Sequence, residues 1–375
     1  MFFIFALMFN NFHHSLKSLT EPLWIAGPCS AEDQEHLTEL AIRLKISGAH
    51  ILRAGAWKPR TRPGAFEGFG APALKWIRAA GDASGLPVIT EVASAKHVEQ
   101  ALASGIDMFW IGARTTVNPF LIQEIADELK GVDIPVFVKN PVNPDVKLWM
   151  GAIERFMQNG ISRIASVHRG FSSFENSTYR NKPNWELAIE LRRLLPNVPI
   201  ICDPSHISGD AIMVPTLTQI AFDLQYDGVM VEVHLNPAKA LSDAMQQITP
   251  EDFSHLKEQT IVRQPTAKDP VELSKLHDLR DLIDELDNEI IEKIAGRMEV
   301  VRKIGQYKDQ NNMAILQLDR FKEILRTRTE TGLHNQLTPD FILRLYSLIH
   351  EESILQQDKQ MTKPELRASS KTEKH

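Results

Sequence analysis

The sequence predicts a (β/α)8 (TIM) barrel of the α/β class, followed by an all-α domain of three helices. Three observations carry that prediction. From Leu23 to about Gln247, eight short β-branched or aromatic runs alternate with longer amphipathic stretches, which suits one such barrel. Past Ile248 the alternation stops, and a polar stretch with two prolines, Thr260–Pro270, reads as a linker. Beyond it, Val271–Lys308 contains no proline and only two glycines, Gly296 and Gly305, and its apolar residues recur at helical steps.

The strand runs are, in order, Leu23–Gly27, His50–Ala54, Val88–Thr90, Met108–Gly112, Val136–Lys139, Arg163–Val167, Pro199–Asp203 and Val229–Val233. Helical stretches between them include Glu32–Lys45, Glu67–Ala80, Asn118–Lys130, Asp145–Asn159 and Asn184–Leu195. An open doubly wound sheet is the alternative, and the absence of a dinucleotide fingerprint after the first strand counts against its commonest nucleotide-binding form. In the C-terminal part, Leu276, Leu279, Ile283, Leu286 and Ile290 step by three and four, the seam of a long helix. Two further helices are expected over Leu318–Thr331 and Pro339–Gln357. The domains are then a barrel over 20–258, a linker over 259–270 and a helical domain over 271–360. Residues 1–19 are read as an extension outside the fold or an early start, and 361–375 as a polar tail.

Composition narrows the function classes. A net charge of −6 does not favour a nucleic-acid partner, which would need a basic face. Two cysteines cannot make a disulfide framework, so a reducing cytoplasm is the default. The apolar run Phe2–Phe9 is too short to span a bilayer and lacks the basic start of a secretory signal.

In such barrels chemistry sits at the C-terminal ends of the strands. Strand one runs into Gly27-Pro28-Cys29-Ser30, and strand seven into Asp203-Pro204-Ser205-His206. Strand eight carries Glu232 and His234, with Asp243 a short way on. Cys29, His206, Glu232 and Asp243 form a candidate site for one divalent metal, and a thiolate, an imidazole and two carboxylates admit Mn, Fe, Co or Zn. Singly, each could be an ordinary buried Cys or core His. Five cations share the same rim: Arg53 and Lys58 after strand two, Arg114 after strand four, Lys139 ending strand five and Arg169 after strand six. Salt bridges to loop acids could explain any one of them. Five together would repel one another unless an anion of two or more charges sat between them.

The stretches GPCS, LRAGAWKPRT, IGAR, the strand-five Lys, DPSH and GVMVEVHLNPAKALSD, in this order, resemble the short-type 3-deoxy-7-phosphoheptulonate (DAHP) synthases across the whole barrel. KPRT separates them from the sister synthase of 3-deoxy-manno-octulosonate 8-phosphate, which carries an Ala-Asn-Arg-like sequence there. The resemblance implies metal binding by Cys29, His206, Glu232 and Asp243. It implies phosphoenolpyruvate binding by Arg53, Lys58, Arg114, Lys139 and Arg169, and erythrose 4-phosphate contacts by Pro59, Arg60 and Thr61. Lys58, next to both substrate motifs, is the expected proton donor to the new hydroxyl.

Residues 271–357 resemble the all-α chorismate mutases from end to end. The matching residues are Arg280, Arg297, Lys308 and Arg320, with Ser353 and Gln357 on the last helix. The implied ligand is chorismate, with Arg280, Arg297, Lys308 and Gln357 as the catalytic set. Helix geometry adds an independent expectation. Arg297 and Lys308 share a face, whereas Arg280 is turned away and sits roughly 25 Å upstream of Arg297 at 1.5 Å per residue. One straight helix cannot aim all three at one small ligand, so a second copy should supply Arg280. The resemblance likewise implies an interlocked homodimer. One departure stands out: Phe321 follows Arg320 where the family usually has Glu, and Gln317 occupies another position that is often acidic.

A synthase fused to an enzyme that consumes chorismate suggests feedback, with chorismate or prephenate in the helical domain inhibiting the barrel. Two rival readings stay open at this point. The helical domain could be an inactive sensing or dimerisation module, or the barrel could use arabinose 5-phosphate as an octulosonate-phosphate synthase.

Overall fold

The computed structural model describes residues 21–59, 64–173, 177–264, 266 and 269–361. The N-terminal extension, the expected tail beyond Met361, and Arg60 and Thr61 lie outside the described residues. By its internal contacts the chain divides into two compact units, Met1–Pro265 and Thr266–His375.

The first unit is a closed parallel barrel in sequential order. Its strands are β1 (Leu23–Gly27), β2 (Ile51–Arg53), β3 (Val88–Val92), β4 (Met108–Ile111), β5 (Val136–Lys139), β6 (Ile164–His168), β7 (Ile200–Cys202) and β8 (Gly228–Glu232). Closure comes from β1 pairing with β8 in the register Leu23↔Gly228 through Gly27↔Glu232. Each expected strand is present within a residue or two. The helices are α1 (Gln34–Ile46), α2 (Ala71–Ser84), α3 (Ala95–Ala103), α4 (Ala113–Thr116), α5 (Pro119–Glu128), α6 (Val146–Gln158), α7 (Trp185–Leu194), α8 (Pro204–Ser208), α9 (Val214–Asp223) and α10 (Pro250–Gln259). The stretch expected to be helical from Glu67 begins only at Ala71, because Gly68 and Gly70 take φ of +88° and +68° and keep the chain irregular.

Helix starts repeat one local device. Asn118-Pro119, Asp203-Pro204 and Thr249-Pro250 each place an oxygen-bearing cap before a proline. The cap side chain accepts a backbone N–H that the first turn leaves unpaired, and proline costs nothing where no helical hydrogen bond is due. Thr249 closes a full capping box with Asp252.

Strand alternation divides the interior into layers. Ile25, Ile51, Ile89, Met108, Phe137, Val167, Ile201 and Met230 belong to one buried apolar cluster inside the barrel. Two residues further along the same strand or its extension come Gly27, Arg53, Glu91, Trp110, Lys139, Arg169, Asp203 and Glu232. A side-chain period of two thus sets the polar groups directly above a hydrophobic floor. Around the strands a second, larger apolar cluster packs the helices, with Leu37, Ile77, Ile125, Trp149 and Phe253 among its members.

The second unit has three helices, α11 (Pro270–Gln310), α12 (Leu318–His334) and α13 (Pro339–Asp358). At 41 residues α11 is about 60 Å long. Helix α13 packs on both others. The seam residues Leu279, Ile283, Leu286 and Ile290 are 54–58% exposed within one copy of the chain.

Candidate active sites

At the C-terminal mouth of the barrel, Arg53 and Glu232 are fully buried and form an ion pair at 3.0 Å. The Arg53 guanidinium carbon lies 4.9 Å from the centroid of Trp110, whose indole N–H donates to Glu91 Oε2 at 3.0 Å. Arg53 Nε and Nη1 are buried and find no acceptor among the described residues. Unsatisfied guanidinium donors are costly to bury, and an anionic ligand is the natural partner. Lys139 Nζ donates to Asp203 Oδ2 at 2.8 Å. Burial lowers the Lys139 pKa further than Asp203 raises it. Lys58 is also buried, and its Nζ donates to the Cys29 carbonyl at 2.8 Å. Burial alone would depress its pKa, but Cys29 and Glu232 outweigh that and raise it, so Lys58 stays an ammonium. Arg169 donates to Asn181 Oδ1 at 2.6 Å, and burial lowers its pKa to about 10. Arg114 sits at the start of α4 with an exposed side chain, and Pro59 is half-buried.

Glycine is required where β1 meets this layer. A Cβ on Gly27, whose φ is +149°, would lie 2.0 Å from the Arg53 carbonyl oxygen.

Beside the cations, Cys29 Sγ, a Glu232 oxygen and an Asp243 oxygen lie within 4.8 Å of one another and could hold a metal ion. His206 is adjacent but outside that tight trio: its Nε2 is 3.8 Å from Glu232 Oε1, and its Nδ1 is 2.8 Å from Asp203 Oδ2. A carboxylate behind the imidazole is the usual way to orient a ligating His. The residues fit a divalent cation. Glu232 Oε1 is buried without a hydrogen bond. Burial, and then Glu232, push the Cys29 thiol up to about 12, a bias that a bound dication would reverse. Asp243 is held well below the usual carboxylate range despite its burial, chiefly by Arg180.

Several contributors were not foreseen. Arg180 pairs with Asp243 at 3.2 Å and donates to Gln246 at 2.6 Å. Gln246 Nε2 donates to Glu232 Oε2 at 2.6 Å, and the Glu232 backbone N–H donates to Ser205 Oγ at 3.0 Å. Arg180 lies in an irregular segment and Gln246 in a single 3-10 turn, Ala244–Gln246, where no periodicity marks them.

In the helical unit, Arg297 Nη1 donates to Ser353 Oγ at 2.6 Å and ties α11 to α13. Lys308 is buried and donates to the Ile315 carbonyl at 2.6 Å. Gln357 is buried, and its Oε1 has no partner among the described residues. The chain brings these four together around the α11–α13 contact. Arg280 is exposed on α11, 17 residues before Arg297, and is not among them. Arg320, in the first turn of α12, is exposed and pairs with Glu323. Gln317 precedes that helix as a cap without a side-chain hydrogen bond.

A buried cationic cluster beside a candidate metal trio, at the C-terminal mouth of a (β/α)8 barrel, marks a barrel-enzyme site suited to an anionic ligand and a divalent metal. Residues 20–266 match the DAHP synthetase I family, and the chain belongs to it. Residues 279–358 match chorismate mutase type II, so a second family domain follows the barrel. Among curated relatives, the phospho-2-dehydro-3-deoxyheptonate aldolase of Thermotoga maritima is 36% identical over 234 residues, covering 62% of this chain and 66% of that protein. A bifunctional chorismate mutase/prephenate dehydratase of Buchnera aphidicola subsp. Schizaphis graminum is 37% identical over 84 residues, 22% of each chain. The chain therefore spans just under two thirds of the first relative and about a fifth of the second. The crystal structure of the DAHP synthase from Thermotoga maritima superimposes with a TM-score of 0.57 at 33% identity, covering 63% of this chain and 68% of that one. Among the described residues, no helix is long and apolar enough to cross a membrane.

Proposed function

We propose that the barrel condenses phosphoenolpyruvate with erythrose 4-phosphate and water to give DAHP and phosphate, and that the helical domain rearranges chorismate to prephenate. The observation that carries the first reading is the buried, under-bonded Arg53 guanidinium beside the Cys29, Glu232 and Asp243 cluster. Phosphoenolpyruvate is held by Arg53, Lys58, Arg114, Lys139 and Arg169, and erythrose 4-phosphate by Pro59, Arg60 and Thr61. Cys29, His206, Glu232 and Asp243 would hold the metal, which supplies Lewis-acid polarisation of the aldehyde when bound. The methylene carbon of phosphoenolpyruvate bonds to the aldehyde carbon, and the Lys58 ammonium delivers the proton that the aldehyde oxygen needs. Water adds at the former enol carbon, and phosphate leaves by carbon–oxygen cleavage. The Arg and Lys layer holds the phosphate before and after that break.

In the helical domain, Arg297 and a second copy's Arg280 clamp the two carboxylates of chorismate, while Lys308 and Gln357 face the ether oxygen. Arg320 and Ser353 complete the pocket. The exposed α11 seam supports the pairing, since a stripe that apolar is normally covered. Prephenate or chorismate bound there restrains the barrel, in a cytoplasmic setting that suits two buried free thiols.

The test is loss of phosphoenolpyruvate on adding erythrose 4-phosphate with Mn, before and after a chelator, with arabinose 5-phosphate as the competing aldehyde. Chelator-sensitive loss specific to erythrose 4-phosphate is expected. No loss with any of several metals, from folded protein, would defeat the barrel reading. Formation of prephenate from chorismate by the same preparation tests the mutase reading.

A further inference from the structure

The helical unit holds another buried polar atom to which the reading above gives no task. His350 lies on α13, three residues before Ser353 and seven before Gln357. At 100° per residue these three side chains fall within about 60° of one another, on the face that Arg297 reaches through Ser353. The Nε2 of His350 is shielded from solvent and has no hydrogen-bond partner among the described residues. The ring stacks on Phe321 of α12, with centroids 3.9 Å apart and planes 17° from parallel. Stacking fixes the imidazole plane, and a phenyl ring supplies no hydrogen bond, so the nitrogen stays available to a ligand in that plane. Burial first, and then the charges of Arg297 and Lys308, lower the His350 pKa, which leaves the imidazole neutral at neutral pH.

We propose that His350 is a substrate-contacting residue of the mutase pocket whose Nε2 hydrogen-bonds the ring hydroxyl of chorismate, with Phe321 holding the imidazole in place. This rests on the mutase reading given above. Chorismate offers two carboxylates, an ether oxygen and one hydroxyl. The arginines, Lys308 and Gln357 serve the first three. A neutral imidazole beside two cations adds no charge for a carboxylate, but it can exchange a hydrogen bond with a neutral hydroxyl. A buried polar atom left unpaired in the free protein is then satisfied on binding.

The experiment compares kcat/KM of the full chain for chorismate and for the analogue lacking the ring hydroxyl, in the wild type, His350→Leu and His350→Gln. Melting followed by far-ultraviolet circular dichroism confirms folding. The wild type should prefer chorismate by roughly tenfold, the size of one neutral hydrogen bond. His350→Leu should lose about that factor on chorismate and treat the two compounds alike, whereas His350→Gln, which keeps a polar atom at similar reach, should retain most of the preference. Phe321→Leu should weaken the preference without abolishing turnover. Folded His350→Leu protein that still discriminates as the wild type does would overturn the proposal. A wild type that turns over neither compound fails earlier and differently, because it removes the mutase reading before any variant is compared.

Discussion

Replacing Arg53 with Met is the most informative single perturbation of the barrel, because it separates the ion pair from the packing around it. Met keeps much of the apolar stem of Arg and removes only the guanidinium. Glu232, fully buried, would then retain the 2.6 Å hydrogen bond from Gln246 but lose its cation at 3.0 Å. Breaking a buried pair from one side costs about 3–5 kcal/mol. The lost cation–π contact with Trp110 adds about 1 kcal/mol. For a domain of this size, 1 kcal/mol corresponds to about 2–4 °C, so the melting temperature should fall by roughly 10 °C or more. Tryptophan fluorescence reads this cleanly, since all six tryptophans of the chain lie in the barrel unit. The melt is run with a chelator, so that metal binding does not contribute to stability. Adding Glu232→Gln removes the stranded charge while keeping an acceptor for Gln246, and the double variant should recover much of the loss. A single variant within about 2 °C of wild type, or a double variant no better than the single, would refute the reasoning.

Further outcomes are expected. Lys58→Met should fold but lose synthase turnover by at least about 100-fold, the typical scale for a positioned proton donor; near-normal turnover would remove Lys58 from that role. His168 is buried between the Tyr226 hydroxyl and the Pro183 carbonyl, and burial lowers its pKa from 6.5 to about 4. Because the unfolded chain takes up this proton first, stability is full above pH 6.5, falls as pH drops towards 4, and levels off below. At about 1.4 kcal/mol per pH unit the loss is roughly 3 kcal/mol. A His168→Gln variant should therefore lose less stability between pH 7.5 and 4.5 than the wild type, as measured by fluorescence-detected denaturation. Prephenate should slow phosphoenolpyruvate consumption by the full chain, and Arg297→Ala should abolish that effect while leaving the basal synthase rate intact; equal sensitivity in the variant would place the inhibitor elsewhere.

Strand positions were legible because their apolar runs are short and bounded by turn residues, and the cations and acids closing each strand were legible with them. Three barrel helices of nine or ten residues, α3, α9 and α10, were not picked out. On α3 only Val98 and Ala101 are buried and on α10 only Pro250, Phe253 and Leu256, while the buried stripe of α9 includes the polar Thr218, so the apolar repeat on each is short. Within the barrel site, Arg180 and Gln246 escaped because they reach the acids from an irregular segment and a single 3-10 turn, where contact depends on how the chain folds back rather than on any period. In the helical domain, spacing on one helix already separated Arg280 from Arg297 and Lys308, and the single continuous α11 bears out that geometry.

The layering of the barrel interior has a consequence for how such a molecule can change. A closed sheet has no free edge, so no strand can slide without its two neighbours sliding too. The ring of reactive groups is therefore indexed to the hydrophobic ring beneath it, like teeth on a common wheel. Substitutions in the connecting loops can exchange one ligand contact for another while the wheel stays in step. A substitution that shifts any strand by one residue would instead turn an inward-facing charge such as Lys139 towards the surrounding helices and a core side chain towards the substrate. Novelty in this architecture thus has to arrive through the loops, and the strands act as a ratchet that preserves the charged layer.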